Sequence, residues 1–255
     1  GNNMRRIIIA NWKMNPQSAK EARRLFEKIK TRARSMKRTE AVVAPPCIFL
    51  PVLRGAGSLK LGAQDISSKE MGAFTGEVSA RMVKNSGASY VIVGHSERRE
   101  LGEENDIVRE KIYQALSHGM RAVLCVGEKE RNREAFPHIV KAEIKSALKG
   151  VPRRFAGRTI IAYEPVWAIS THSGGKSDTP QNFFEMSIFI RRTILDIWGK
   201  TAALKIPIIY GGSVNSKNAA GFLAVNGGTG LLIGRASLDA DEFIKILKIA
   251  DEKHS

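Results

Sequence analysis

Eight short runs rich in Val, Ile and Leu recur along the chain. They lie at Arg6 to Trp12, Ala41 to Ala44, Leu59 to Gln64, Tyr90 to Gly94, Arg121 to Val126, Thr159 to Tyr163, Ile206 to Tyr210 and Gly230 to Ile233. Most are nearly continuous rather than alternating, the pattern of parallel strands covered on both faces. Between them lie segments with helical spacing, such as Ala22, Leu25, Phe26 and Ile29, or Phe183, Met186, Ile190, Ile194 and Ile197. The pattern predicts a helix after each strand. Eight such units in 255 residues, with no Pro/Gly/Ser-rich linker, fit a single closed (β/α)8 barrel over residues 4–255: a parallel eight-stranded α/β barrel surrounded by helices. A doubly wound open sheet is the alternative.

No segment approaches the roughly 20 apolar residues of a membrane span. The first apolar run is broken at once by Asn11 and Lys13, which leaves it short of the about 7–15 residues of a signal-peptide core. A soluble, cytoplasmic chain is the expectation. Gly1-Asn2-Asn3 ahead of Met4 reads as a remnant of expression. Cys47 and Cys125 are the two cysteines, widely separated and each inside an apolar run, so two buried reduced thiols are expected rather than a disulfide or metal framework. The net charge of +16 suits anionic ligands or nonspecific contact with nucleic acid.

A barrel of this kind places its chemistry in the loops at the C-terminal ends of the strands. The first run ends in "ANWKMN", which sets Asn11 and Lys13 at the barrel mouth, where a lysine can hold an anion and stabilise developing negative charge. The fourth ends in "VIVGHSERRE". His95 there precedes Ser96-Glu97, a helix-starting pair, so its imidazole meets the positive end of a helix dipole and can act as a neutral donor. The sixth ends in Glu164, followed by Pro165; a carboxylate so flanked is partly desolvated, which suits a general base. Gly211, Gly212 and Gly234, after the last two runs, permit close backbone approach and make an anion site. Singly, each has a plain reading: a solvated lysine, a structural histidine, a capping glutamate at Glu97, a strand-end carboxylate, a Gly-Gly turn. Together they surround one pocket with a cation, a donor and a base. That set suits proton abstraction beside the carbonyl of a small phosphorylated substrate, with no cofactor or metal required.

The motifs "NWKMN", "GAQD", "GAFTGEVSA", "VGHSERR", "CVGE", "AYEPVWAI" and "YGGSV" occur in this order over nearly the whole chain. As a set they resemble the triosephosphate isomerase family. The resemblance implies the TIM-barrel architecture and interconversion of dihydroxyacetone phosphate and D-glyceraldehyde 3-phosphate, in glycolysis and gluconeogenesis and without a cofactor. It implies that Glu164 shuttles the proton, that neutral His95 polarises the carbonyl, and that Lys13 and Asn11 bind substrate, with Glu97 beside Lys13. Ser213 and Gly234 match phosphate-loop positions, and Ser170 would offer a backbone N-H from a closing lid. The stretch around Thr75 matches a loop that reaches a neighbouring subunit, so a homodimer or higher oligomer is implied.

Three departures stand out. The lid segment Ala168 to Lys176 lacks both early glycines of the usual A-I-G-T-G-K and is about three residues longer, a change that loop-closure entropy tolerates but that moves the far hinge. Arg235 replaces the second Gly of the usual G-G-A-S pair, either removing a backbone approach to phosphate or adding a cation to it. Asn226-Gly227-Gly228-Thr229 lacks the usual acid, which is expected to loosen an ion pair with an arginine such as Arg191. Two rivals remain: another phosphate-binding barrel enzyme, and a nucleic-acid-binding protein suggested by "KEARRLFEKIKTRARSMKR", whose charges surround an amphipathic helix in the manner of a solvated outer face.

Overall fold

The computed structural model describes residues 5–55, 57–130, 136–169 and 178–252. Its eight strands are β1 (Arg6–Asn11), β2 (Thr39–Ala44), β3 (Leu59–Ala63), β4 (Ala88–Val93), β5 (Arg121–Val126), β6 (Thr159–Tyr163), β7 (Ile208–Tyr210) and β8 (Gly230–Ile233). Every neighbouring pair is parallel, and β1 pairs with both β2 and β8, which closes the barrel.

The strands read as continuous apolar runs because each packs on two sides. Ile7, Ile9, Val42, Ile92, Val123, Ile160 and Ile209 belong to one buried cluster inside the barrel. Ile8, Val43, Val91, Leu124, Ile161 and Leu231 belong to another, which the helices cover. Successive side chains point to opposite faces, so the interior set recurs every second residue.

The outer layer consists of α1 (Ala19–Ala33), α2 (Ala80–Asn85), α3 (Ser96–Glu100), α4 (Asn105–Ser117), α5 (Phe136–Leu148), α6 (Pro180–Trp198), α7 (Lys200–Lys205), α8 (Ala219–Leu223) and α9 (Ala240–Asp251). Local sequence sets their starts. Ser18 caps α1 by accepting from the Glu21 N-H, and its hydroxyl donates to the Glu21 carboxylate. Thr179 caps α6, with Pro180 in the first turn where its missing donor costs nothing. In α1, Ala22, Phe26, Ile29 and Ala33 are buried, while Lys20, Arg23, Arg24 and Lys28 face out.

Two expectations are corrected here. Among the described residues no α-helix separates β2 from β3; Cys47–Val52 is a 3-10 turn, because Pro51 lacks an N-H donor and Pro45-Pro46 holds the entering chain extended. That turn sends Phe49 and Leu50 inward and leaves Cys47 exposed, so only Cys125 is a buried thiol. Among the described residues, no helix is long and apolar enough to cross a membrane.

Candidate active site

Strand parity aims two of the key side chains. Glu164 continues the inward series of Ile160 and Ala162, and Asn11 that of Ile7 and Ile9, so both point into the barrel mouth. They are 1% and 6% exposed.

Lys13 adopts φ +54, a conformation few non-glycine residues take. Its N-H donates to Asn11 Oδ1 at 3.0 Å, and its carbonyl accepts from Gln64 Nε2 at 2.8 Å. Gln64 also donates to the Ala44 carbonyl at 2.9 Å and so braces the β1 turn against β2. The lysine Nζ lies 2.5 Å from Glu97 Oε1.

Gly94, at φ +70, turns the chain out of β4. His95 then caps α3: its Nδ1 accepts from the Glu97 N-H at 3.2 Å. An accepting Nδ1 assigns the proton to Nε2, which makes the ring a neutral donor on that side. Nε2 faces Glu164 Oε2 at 3.4 Å, and Ser96 Oγ donates to the same oxygen at 3.3 Å. Glu164 Oε1 is buried without a hydrogen-bond partner. Behind the carboxylate sits Cys125, whose thiol is pushed well up, first by burial and then by the neighbouring negative charge of Glu164. A side chain at Gly211 would meet Glu164 Cγ at 2.7 Å, so a glycine is required there for Glu164 to take its place.

Asn11, Lys13, His95, Ser213, Gly234 and Arg235 line one cavity of about 220 Å³. Glu164 forms part of the wall of an adjoining cavity of about 490 Å³, with Ser96, Cys125 and Glu143. Arg235 is exposed at the rim and makes no ion pair among the described residues. Ser213 Oγ donates to the Ala168 carbonyl at 2.8 Å, which ties the β7 loop to the chain leaving β6. Glu97 sits beside Lys13 rather than in the cavity lining, and Thr75 is exposed on a separate loop. Ser170 and the rest of the lid to Lys176 lie outside the described residues.

Several supporting residues have no role that the sequence alone assigns. Glu128 Oε1 accepts from Tyr163 Oη at 2.8 Å and from Trp167 Nε1 at 2.9 Å, clamping the chain on both sides of Glu164. Ser96 and Gln64 fall inside quoted motifs, but spacing alone gives no reason to single them out. Arg191 is not left loose by the missing acid. Its guanidinium donates to the carbonyls of Ala203 at 2.6 Å and Gly227 at 2.7 Å, and burial lowers its pKa.

A family model described as triosephosphate isomerase matches residues 6–250. The chain belongs to the triosephosphate isomerase family. Proteins named triosephosphate isomerase from Caldanaerobacter subterraneus subsp. tengcongensis and Aquifex aeolicus are each 43% identical to it, over 96% of this chain and 99% of their own length. One of the same name from Thermus thermophilus is 41% identical over 97% of this chain and its whole length. The triosephosphate isomerase family thus accounts for the chain from β1 into the last turn of α9.

Proposed function

We propose that Glu164, His95 and Lys13 carry the reaction of this family in the chain, by general-base proton transfer through an enediolate. The chain is an aldose-ketose isomerase that interconverts dihydroxyacetone phosphate and D-glyceraldehyde 3-phosphate. The observation that carries the assignment of roles is the buried Glu164 carboxylate. One of its oxygens has no partner, and the other lies 3.4 Å from the protonated nitrogen of a neutral histidine.

In this scheme the substrate carbonyl lies between His95 Nε2-H and Lys13 Nζ. Glu164 removes a proton from the adjacent carbon. The charge that develops on oxygen is met by one neutral donor and one cation, in a site where donors are fixed in advance. His95 gives its Nε2 proton to the charged oxygen and takes up the hydroxyl proton of the neighbouring oxygen, and Glu164 returns its proton to the carbon that had been the carbonyl. Hydrogen and electrons are only redistributed within the substrate, so the scheme calls on no redox cofactor. Asn11 supports Lys13, and Glu97 holds its ammonium in place. The phosphate would rest on the backbone N-H groups around Gly211 to Ser213 and at Gly234, with Arg235 as an added cation. Ser170 would supply a further N-H once the lid closes.

The protein would work in the cytoplasm as a homodimer or higher oligomer. Support comes from Met71, Phe74 and Met82, exposed at 83%, 45% and 58% on or just after the loop that carries Thr75, and from Met14, exposed at 84% after β1. Sedimentation of wild type against Phe74→Asp checks this, with the wild type sedimenting as a dimer or larger and the variant shifting toward monomer. The catalytic scheme is checked by isomerisation in deuterated water. Product should carry solvent deuterium on the carbon that Glu164 reprotonates; product free of deuterium would favour direct hydride transfer instead.

A further inference from the structure

The +16 charge is not where the substrate binds. Loops leaving the strands, at the catalytic mouth, carry Asp65, Glu97, Glu100, Glu103 and Glu128 among other acids. Loops entering the strands, at the opposite end of the barrel, carry basic residues and, among the described residues, no Asp or Glu. Arg34, Lys37 and Arg38 precede β2, while Arg153, Arg154 and Arg158 precede β6. Lys84 and Arg158 converge on Gly119, each within 3.6 Å of the point where a side chain there would begin. Like charges brought together cost stability unless a counter-charge arrives. The acids nearest this end are largely committed. Glu40 pairs with Tyr90 Oη and Arg121, and Asp251 accepts from the N-H groups of Lys37 and Arg38. Asp196 and Glu252 stand exposed at the ends of α6 and α9.

A cavity of about 440 Å³ runs along the side of the barrel to this face, from Ser68 and the Lys69–Glu110 ion pair (3.2 Å) near the loop after β3, past Arg109, Tyr113 and Gln114, to Lys149–Val151 at the start of the β6 entry loop. Tyr113 is 46% exposed and stands edge-on to Phe155, over which Arg154 and Arg158 lie at 4.7 and 5.1 Å. An aromatic ring, an amide and flanking cations form the usual combination for holding an unstacked base and its phosphates.

We propose that the strand-entry face of the barrel binds single-stranded RNA, with phosphates along the Arg/Lys loops and a base seated beside Tyr113. Arginine predominates in the loops before β2 and β6, which suits forked contact with phosphate. The exposed apolar group of Met14, Ile48, Met71 and Phe74 lies toward the other end, and Leu195 and Leu204, on α6 and α7, stand exposed near this face, a thinner apolar layer than a membrane-surface site would add.

The test is fluorescence anisotropy of labelled oligouridylate between about 50 and 200 mM salt, with the full-length enzyme. Lys37, Arg153 and Arg154, all exposed, are changed together to Glu. A matched control reverses Arg23, Arg192 and Lys245 on outer helices. Both variants should retain wild-type isomerase turnover, which shows that they fold. The face variant should bind at least about 30-fold more weakly, with a salt slope flatter by about 2, and the control should stay within about threefold of wild type. Tyr113→Ala should weaken oligouridylate binding by about tenfold. Equal loss in the two triple variants would reduce the effect to diffuse charge and overturn the proposal. So would unchanged binding by Tyr113→Ala, or tighter binding to phosphatidylserine vesicles than to oligouridylate.

Discussion

Two polar regions at the same end of the barrel use the same residue types differently. In the mouth, Lys13 Nζ meets one carboxylate oxygen, of Glu97, and Glu164 keeps one oxygen without a partner. At the rim between β3 and α4, Lys111 Nζ donates to Asp65 Oδ1 and Oδ2 at 2.9 Å each and to Glu103 Oε2 at 2.6 Å, which uses all three of its donors. Burial pushes the Asp65 pKa up while the Lys111 charge pulls it back, the balance of a closed ionic cluster. Groups with capacity left over are available to a ligand, and groups that satisfy one another hold the fold. The difference lies in the lysines: Glu103 Oε1, like Glu164 Oε1, is buried without a hydrogen-bond partner, but Lys111 has no donor to spare while Lys13 gives one to Glu97 and keeps the others for a ligand.

The contrast makes opposite demands on mutants. Glu164→Gln should lower kcat by about 10³–10⁴-fold with an unchanged melting temperature, since it deletes a base at nearly constant volume; retained turnover would remove Glu164 from the mechanism. Lys13→Met should cost about 10²–10³ in kcat/KM and little stability. Lys111→Met should do the reverse. It removes the buried cation and leaves Asp65 and Glu103 only the more exposed Arg98, at 3.2 and 3.4 Å, a loss of up to about 3–5 kcal/mol, seen as a fall of about 10 °C in melting temperature with turnover per folded molecule intact. If the two lysine variants behaved alike, saturation would not separate function from architecture.

A milder change is Trp167→Phe, which removes one hydrogen bond to Glu128 at about 1 kcal/mol and should alter kcat by less than tenfold. The smallest effect concerns Glu143, which accepts from the Gly127 N-H and whose pKa burial raises from its ordinary 4.5, against the opposing charge of Arg99. A raised carboxylate binds its proton more tightly in the folded state. Its contribution is therefore full below about pH 4.5 and is lost as pH rises through the folded value. The melting-temperature difference between wild type and Glu143→Gln should shrink in that direction; growth instead would mean that the Arg99 charge outweighs burial.

The barrel was readable because periodicity is local. Every strand was located to within two residues, since runs buried on both faces look alike wherever they occur. Errors came where local chemistry overrode the pattern. Pro207 delayed β7 until Ile208, and the prolines around Cys47 gave a 3-10 turn where a helix was expected. Lys13, His95 and Glu164, the proposed catalytic set, stand out in the sequence because each lies just beyond a strand. Their supports were not, because Ser96 to Glu164, Gln64 to Ala44 and Glu128 to Trp167 join segments 20 to 68 residues apart. No spacing rule encodes such a contact. The reach of Thr75 toward a partner came from family likeness alone.

The double grip of Glu128 on Tyr163 and Trp167 has a consequence for how such chains diversify. Glu164 is bolted between two fixed posts, so changes of sequence after the Trp167 post need not move its carboxylate. Chimaeras between relatives are therefore best cut after Trp167.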